Sequence, residues 1–373
     1  MNPLYSAILR QVTMKILFLI PYPLHQAPSQ RFRFEQYFAI LKSKGHQIRT
    51  QSFLSASNWQ LFFRPGHPFQ KLWILLIGYL KRIYAIGIAP SFDFIFIHRE
   101  TAPLGPPIFE WILAKILLKK IIYDFDDAIW LTDRVSEPAL LNFLKWRSKV
   151  KSICRWSYKV SCGNDYLKNF TLPCNPKAIY NPTTIDDEAN HNPSRYHPKK
   201  IDGQVVIGWT GSHSTLKYLQ GIESVLQKIE SQFSSVSFLV IADQAPELQL
   251  NRLTFVKWNA NTEVEDLLNL DIGIMPLPDD EWAKGKCGFK ALQYMALQIP
   301  TVASPVGVNV EIIKHGENGL LASSEEEWTL ALQKLIEDKT LRDQLGKNGR
   351  ETVIKSYSVV SIYLCSRIFN QST

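Results

Sequence analysis

Short apolar runs alternate with amphipathic segments along this chain, and the whole alternation occurs twice. "KILFLI" at 15–20 is a β-rich apolar run. "RFRFEQYFAILKSK" at 31–44 carries Phe34, Tyr37, Phe38 and Leu41 at helical spacing, and Gly45 follows as a stop. Residues 47–52 return to strand character. Strand, helix and strand in succession predict a parallel sheet with crossover helices. Further strands are expected at 93–98, 120–124, 157–161 and 178–181, with a helix over 109–119. The polar, proline-containing stretch 186–202 reads as a linker. A second set follows, with strands at 204–209, 236–241, 254–257, 271–275, 300–303 and 319–322 and helices over 215–231, 263–269 and 288–297. Ser324 and Glu327 have the capping-box spacing that opens a helix over 325–336, and 338–371 is expected to be helical and amphipathic. The predicted class is α/β, two doubly wound domains with a ligand cleft between them.

The bulk properties agree with that layout. A chain of 373 residues exceeds one ordinary core. With 46% hydrophobic and 20% charged residues it is globular in composition. Five cysteines without a C-x-x-C pair argue against a disulfide framework and a structural zinc, and they suit a reducing cytosol. Met14 reads as a start, with residues 1–13 a disordered or misassigned extension. The net charge of +8 points to nucleic acid, an anionic membrane surface or phosphorylated ligands. No nucleic-acid-binding signature supports the first.

Two loop–helix starts in the second half suit an anion. In "IGWTGSHSTLKYL", Gly211 permits close backbone approach, Ser212 follows it, and Lys217 adds a point charge at a helix opening. The alternative is a plain turn with a surface lysine. In "KGKCGFKALQYMALQIPTVASPVGVNVEIIKHGENGLLA", Gly288 and Phe289 begin a helix with Lys284, Lys286 and Lys290 around its N-terminus. Lysines there oppose the helix dipole and need an anion or solvent. A bound diphosphate accounts for both starts.

These stretches resemble the GT-B glycosyltransferases of family 4, the glycosyl transferases group 1. The run from Phe289 to Ala322 is similar to the family's signature, and "GSHSTLK" to its donor-phosphate loop, with Ser212 at the usual arginine position. "PSQRFRFEQYF", with Arg31 and Arg33, resembles the acceptor loop. "FIHRETAPLGPPIFEW", with Arg99 and Glu100, and "YDFDDAIWL" resemble a subgroup linked to cell-surface polysaccharide assembly. The resemblance implies an acceptor-binding domain over 14–198, a nucleotide-sugar-binding domain over 199–355, and a C-terminal helix, 356–373, crossing back to the first domain. It implies a retaining hexosyltransferase using a UDP-, GDP- or dTDP-sugar, with no cofactor, acting on a saccharide or lipid-linked acceptor. Other readings of the same fold are a nucleotide-sugar epimerase and a non-catalytic binding protein.

The chain departs from the family's E-x7-E pattern, with Gly285 and Gln293 at the two glutamate positions. Gln293 is then the ribose contact, and the sugar contact falls to Asp279, Asp280 or Glu281, or to nothing. "IIYDFDD" ends a first-domain strand pointing into the cleft, where Asp126 and Asp127 stand ahead of Asp124 as acid/base or positioning candidates. Asp127 as a helix or turn cap is the alternative. A metal site is not expected, because basic side chains neutralise the diphosphate in such folds. Arg99 and Glu100 are acceptor contacts or a buried ion pair. Trp258 is a base-stacking or a buried residue. "FQKLWILLIGYLKRIYAIG", 69–87, has only nine consecutive uncharged residues, too few to span a bilayer. It either rests on anionic lipid or packs on the sheet. The expected location is the cytoplasm, on the inner face of the plasma membrane if the first of these holds.

Overall fold

The computed structural model describes residues 13–64, 66–132, 138–198 and 203–362. Residues 1–12 of the expected extension and 363–371 of the expected tail helix lie outside them.

The first sheet holds β1 (Lys15–Ile20), β2 (Gln47–Ser52), β3 (Phe94–His98), β4 (Lys120–Phe125), β5 (Lys159–Cys162) and β6 (Ala178–Tyr180), in the order β2-β1-β3-β4-β5-β6. The second holds β7 (Val205–Gly211), β8 (Val236–Ala242), β9 (Leu253–Lys257), β10 (Ile272–Met275), β11 (Thr301–Ala303) and β12 (Leu320–Leu321), in the order β12-β11-β10-β7-β8-β9. The strand pairs in both are parallel. Helices cover both faces of each sheet, so central strands such as β3 are buried along their whole length. That is why they read as unbroken apolar runs. The order reverses between β1 and β3 in one sheet and between β7 and β10 in the other. A crevice opens at each reversal, at the carboxyl ends of the strands.

Several elements differ from expectation. The segment 109–119 is a short helix, Ile108–Trp111, continued by a π-helical turn, Ile112–Ile116. The segment 215–231 is two helices, Leu216–Gln220 and Glu223–Gln232. The tail helix runs Lys339–Ser356 and stops there. The chain then forms a turn over 357–362, Ser358 bridges to Ile185, and Val359 is buried in the first domain's core beside Ile16 and Phe18. Among the described residues this turn makes the return to the first domain, and residues 363–373 of the expected crossing helix lie outside them. The stretch 186–198 is docked rather than loose, because Arg350 donates to the carbonyls of His191 at 2.9 Å and Asp187 at 3.1 Å.

The apolar segment forms a 21-residue helix, Pro68–Ile88. By length and composition, Pro68–Ser91 is long and apolar enough to cross a bilayer, which the count of uncharged residues missed. In the fold one face of it packs on the first domain through Ile74, Gly78, Arg82 and Ala85. Arg82 is fully buried and donates to the carbonyls of Thr101, Gln51 and Ile20. The opposite face leaves Phe69, Leu72, Trp73, Leu76 and Leu80 exposed.

Candidate functional site

Register sets the floor of the cleft. His98 on β3 pairs with Asp124 on β4, and Asp124 pairs with Ser161 on β5. Three polar side chains thus line up across the strand ends. Asp124 binds His98 Nδ1 at 2.9 Å, accepts from Ser161 Oγ at 2.6 Å, and forms an ion pair with Arg33. Arg33 also donates to the Asn181 carbonyl. Burial alone would raise the Asp124 pKa, but Arg33 and His98 hold it well below the usual carboxylate range. Arg33, expected on the acceptor, is 2% exposed and cannot meet a ligand. Its charge is consumed inside the domain by Asp124.

One residue beyond β4 the chain reaches the cleft. Arg99, in the left-handed region at φ 59°, turns its guanidinium onto the next two aspartates. Its Nε donates to Asp126 at 2.9 Å and its Nη2 to Asp127 at 2.6 Å. Burial works against the Arg99 charge, but Asp126 and Asp127 outweigh it and raise its pKa. Across the cleft Lys286 Nζ donates to Asp127 at 2.9 Å. Burial would raise the Asp127 pKa, yet Lys286 and Arg99 lower it. Lys290 places its ammonium 5.3 Å from the ring centroid of Trp209, the residue before the Thr210-Gly211 end of β7. Burial and the adjacent Lys286 push it down to about 8.

The cleft therefore unites Asp126, Asp127, Arg99, Lys286 and Lys290. Gly288 caps their helix at φ 67°, with the Ile312 side chain where a Cβ would lie, so only glycine fits. A Cβ on Gly211 would strike the Trp209 ring, which keeps that loop against Lys290's platform. Ser212 donates its N–H to Thr215 Oγ1 at 3.2 Å. Lys217 stands exposed further along, its ammonium 5.3 Å from the Tyr218 ring centroid.

The remaining candidates have other partners. Phe289 turns its ring onto Phe32 of the first domain, centroids 4.3 Å apart. Gln293 is 1% exposed, with Nε2 3.2 Å from His191 Nε2. Asp280 caps its helix by accepting from the Ala283 N–H at 2.7 Å. Glu281 accepts from Tyr166 of the first domain at 2.7 Å, and Lys284 pairs with Glu281 at 3.0 Å and Asp279 at 3.5 Å. Arg31 crosses to the second domain, meeting Glu263 at 2.6 Å, and Trp258 Nε1 donates to the same Glu263 at 3.1 Å. Glu100 pairs with Lys149 at 2.6 Å.

Sequence reasoning passed over His98, fully buried with its Nε2 unpartnered and 3.9 Å from Asp126 Oδ1. The signal was its place beside Arg99 at a strand end. It also passed over Asn164, which donates to the Lys284 and Lys286 carbonyls at 3.0 and 2.9 Å and so holds the lysine loop against the first domain.

Two Rossmann-like domains joined across such a cleft define a GT-B protein. Residues 204–338, in the second domain, match the family described as glycosyl transferases group 1. Among curated proteins the chain is similar to the capsular polysaccharide biosynthesis glycosyltransferase CapM of Staphylococcus aureus. The two are 24% identical over 176 residues, 44% of this chain and 45% of CapM, so the match spans under half of that relative. Among solved structures it is similar to HepE of Anabaena in complex with UDP and glucose, with TM-score 0.63, 16% identity, 94% of this chain and 97% of that one covered. A glycosyltransferase of Rickettsia africae matches with TM-score 0.67 and 15% identity over 96% of this chain and all of the other, 100%.

Proposed function

We propose that the protein moves a sugar from a nucleotide-sugar to a hydroxyl of a saccharide acceptor. The observation that carries this reading is the pair Lys286 and Lys290, set at the start of a second-domain helix and facing Asp126, Asp127 and Arg99 across the cleft. Two sunken ammonium groups at a helix opening suit the diphosphate of a UDP-, GDP- or dTDP-sugar. The UDP and UDP-glucose complexes of HepE support that donor class. The role carried in CapM's name supports a place in cell-surface polysaccharide assembly.

In the proposed reaction the bond between the anomeric carbon and the diphosphate oxygen breaks, and its electron pair leaves on the diphosphate. The acceptor hydroxyl oxygen bonds to that carbon from the same face, with retention. Its proton passes to the departing phosphate oxygen. Lys286 and Lys290 stabilise the charge that gathers on the leaving group. Asp126 and Asp127, held by Arg99, orient the acceptor hydroxyl. With lysines in that role, the chemistry as proposed calls for no metal. The exposed apolar face of the helix Pro68–Ile88, flanked by Lys71 and Lys81, supports a cytoplasmic protein resting on an anionic membrane.

Thermal-shift measurements with UDP-, GDP- and dTDP-sugars, with and without EDTA, test the reading. One nucleotide should raise the melting temperature, and EDTA should leave that shift unchanged. Lys286→Ala should weaken its binding by about tenfold or more. Asp126→Asn should keep nucleotide affinity within about twofold while lowering transfer by about 100-fold. No stabilisation by any of these sugars would refute the donor site, and loss of binding in EDTA would return the aspartates to a metal.

A further inference from the structure

Asp126 and Asp127 are neighbours in the chain, yet they are tied to different domains. Asp126 is bonded by Arg99 of its own domain, through Nε at 2.9 Å and Nη2 at 2.7 Å. Asp127 divides its oxygens. Oδ2 accepts from Arg99 Nη2 at 2.6 Å, and Oδ1 accepts from Lys286 of the second domain at 2.9 Å. We infer that Asp127 is the counter-ion that the donor's diphosphate displaces from Lys286, so that donor binding itself uncovers a carboxylate on the acceptor side. This rests on the transferase reading and names how its donor site is coupled to its acceptor wall.

The first support is that two anions compete for one ammonium. The Lys286 and Asp127 side chains are 21% and 18% exposed, so their attraction is little screened. Lys290 shares the same carboxylate: burial and Lys286 work against its charge, and Asp127 favours it. A diphosphate that settles on the two lysines therefore arrives where Asp127 already serves both. An ammonium has three donors, but two anions side by side in a shielded site repel each other as strongly as each is attracted. One gains the lysine as the other loses it.

The second is that the exchange needs only a side chain to move. Asn164 donates to the Lys284 and Lys286 carbonyls at 3.0 and 2.9 Å, and Cys287 Sγ donates to the Asp126 carbonyl at 3.1 Å. Gly285 lies so near the first domain that a Cβ on it would come within 2.7 Å of Ala128 Cβ. These contacts fix the backbone on both sides of Lys286. Its four-carbon stem, with freely turning bonds, is the part left to swing from carboxylate to phosphate.

The third is that Asp127 keeps its place when the lysine leaves. Arg99 still bonds Oδ2, and Arg99 is itself anchored, because the Tyr123 hydroxyl donates to its carbonyl at 2.6 Å. Only Oδ1 is released. It then stands at the cleft wall, open to the acceptor hydroxyl that the proposed transfer has to orient.

Isothermal titration of the full chain with inorganic pyrophosphate in EDTA, repeated with UDP, GDP and dTDP, tests the displacement. Asp127→Asn removes the competitor and should bind pyrophosphate at least about fivefold more tightly than the wild type. Asp127→Ser should show the same gain, and melting curves report the folding of each variant. Asp126→Asn removes an equal charge that does not touch Lys286, and its affinity should stay within about twofold. In a Lys286→Ala background, adding Asp127→Asn should change affinity by less than about twofold, because the lysine that the anions contest is gone. A gain in that background, an equal gain from Asp126→Asn, or no gain from either Asp127 variant would overturn the inference, while binding by the wild type would leave the donor site standing. Failure of all these proteins to bind pyrophosphate or any of the nucleotides would refute the donor site and the displacement with it.

Discussion

Lys290 holds its charge in a place that opposes it. Burial and Lys286 bring its ammonium down to about 8, from an ordinary value of 10.5. An anion bound between the two lysines restores the charged form, so binding above pH 8 takes up a proton. Below pH 8 the group is already charged and affinity for a nucleoside diphosphate should be flat. Above it, Kd should rise by up to about tenfold per pH unit. Titration calorimetry in buffers of different ionisation enthalpy should detect proton uptake near pH 8.5–9 (about half a unit to one unit above the lysine's midpoint). Lys290→Arg should remove both effects, because a guanidinium stays charged throughout. Equal affinity at pH 7 and at about pH 9.5 would show that Lys290 does not meet the anion. The two lysines and the two aspartates were legible in the sequence because a helix start and a strand end are local patterns. The partners of Arg33 and Gln293 were not. Asp124 lies 91 positions from Arg33, and His191 lies 102 from Gln293. Only strand register and the docked linker bring them together.

The helix Pro68–Ile88 shows what an element adds to its residues. One face inserts Ile74, Gly78, Arg82 and Ala85 into the first domain, and the other offers Leu72, Trp73 and Leu76 to solvent at more than two-fifths exposure each. Sequence alone left membrane rest and sheet packing as rivals. In the fold packing takes one face and the other stays exposed, which leaves it open to the proposed membrane contact, since a helix has room for both at a 3.6-residue period. Changing Leu72, Trp73 and Leu76 together to serine should lower binding to anionic vesicles by at least about tenfold, since each such side chain is worth roughly 1.5–3 kcal/mol when fully buried. The melting temperature should hold within a degree or two, as these side chains leave no core contact behind. A vesicle co-sedimentation assay reads the first and a melting curve the second. Unchanged sedimentation would remove this face from any membrane contact. The strands were legible for the same reason the helix was not: full burial writes an apolar run, whereas two faces with different duties write a mixed one. The π-turn at Ile112–Ile116 and the stop at Ser356 left no local mark, because tertiary packing imposes both.

At the scale of the molecule, the two domains meet through contacts of very different kinds. Asn164 grips the Lys284 and Lys286 carbonyls, Tyr166 meets Glu281, and Phe32 packs on Phe289. Lys286 reaches Asp127, a bond that an incoming diphosphate would contest. Arg31 to Glu263 stands apart, because it joins the first domain to the wall formed by Trp258 without touching the lysines. Both groups are shielded, with side chains 19% and 4% exposed, so their attraction is little screened. Arg31→Met removes the pair and leaves Glu263 to Trp258. The loss should shift the balance between closed and open cleft by roughly 1–3 kcal/mol, or about 5- to 150-fold. On the proposed reading the nucleotide meets the second domain, so its affinity should stay within about threefold. The proposed transfer would need both walls and should fall by about tenfold or more. Small-angle scattering should show a larger radius of gyration for the variant, and saturating nucleotide should reduce the difference if Lys286 and Lys290 draw the domains together through it. A variant with unchanged radius and unchanged transfer would make the Arg31–Glu263 pair a passive surface contact, and closure would then rest on the other described contacts, those of Asn164, Tyr166 and Lys286 and the Phe32–Phe289 packing among them.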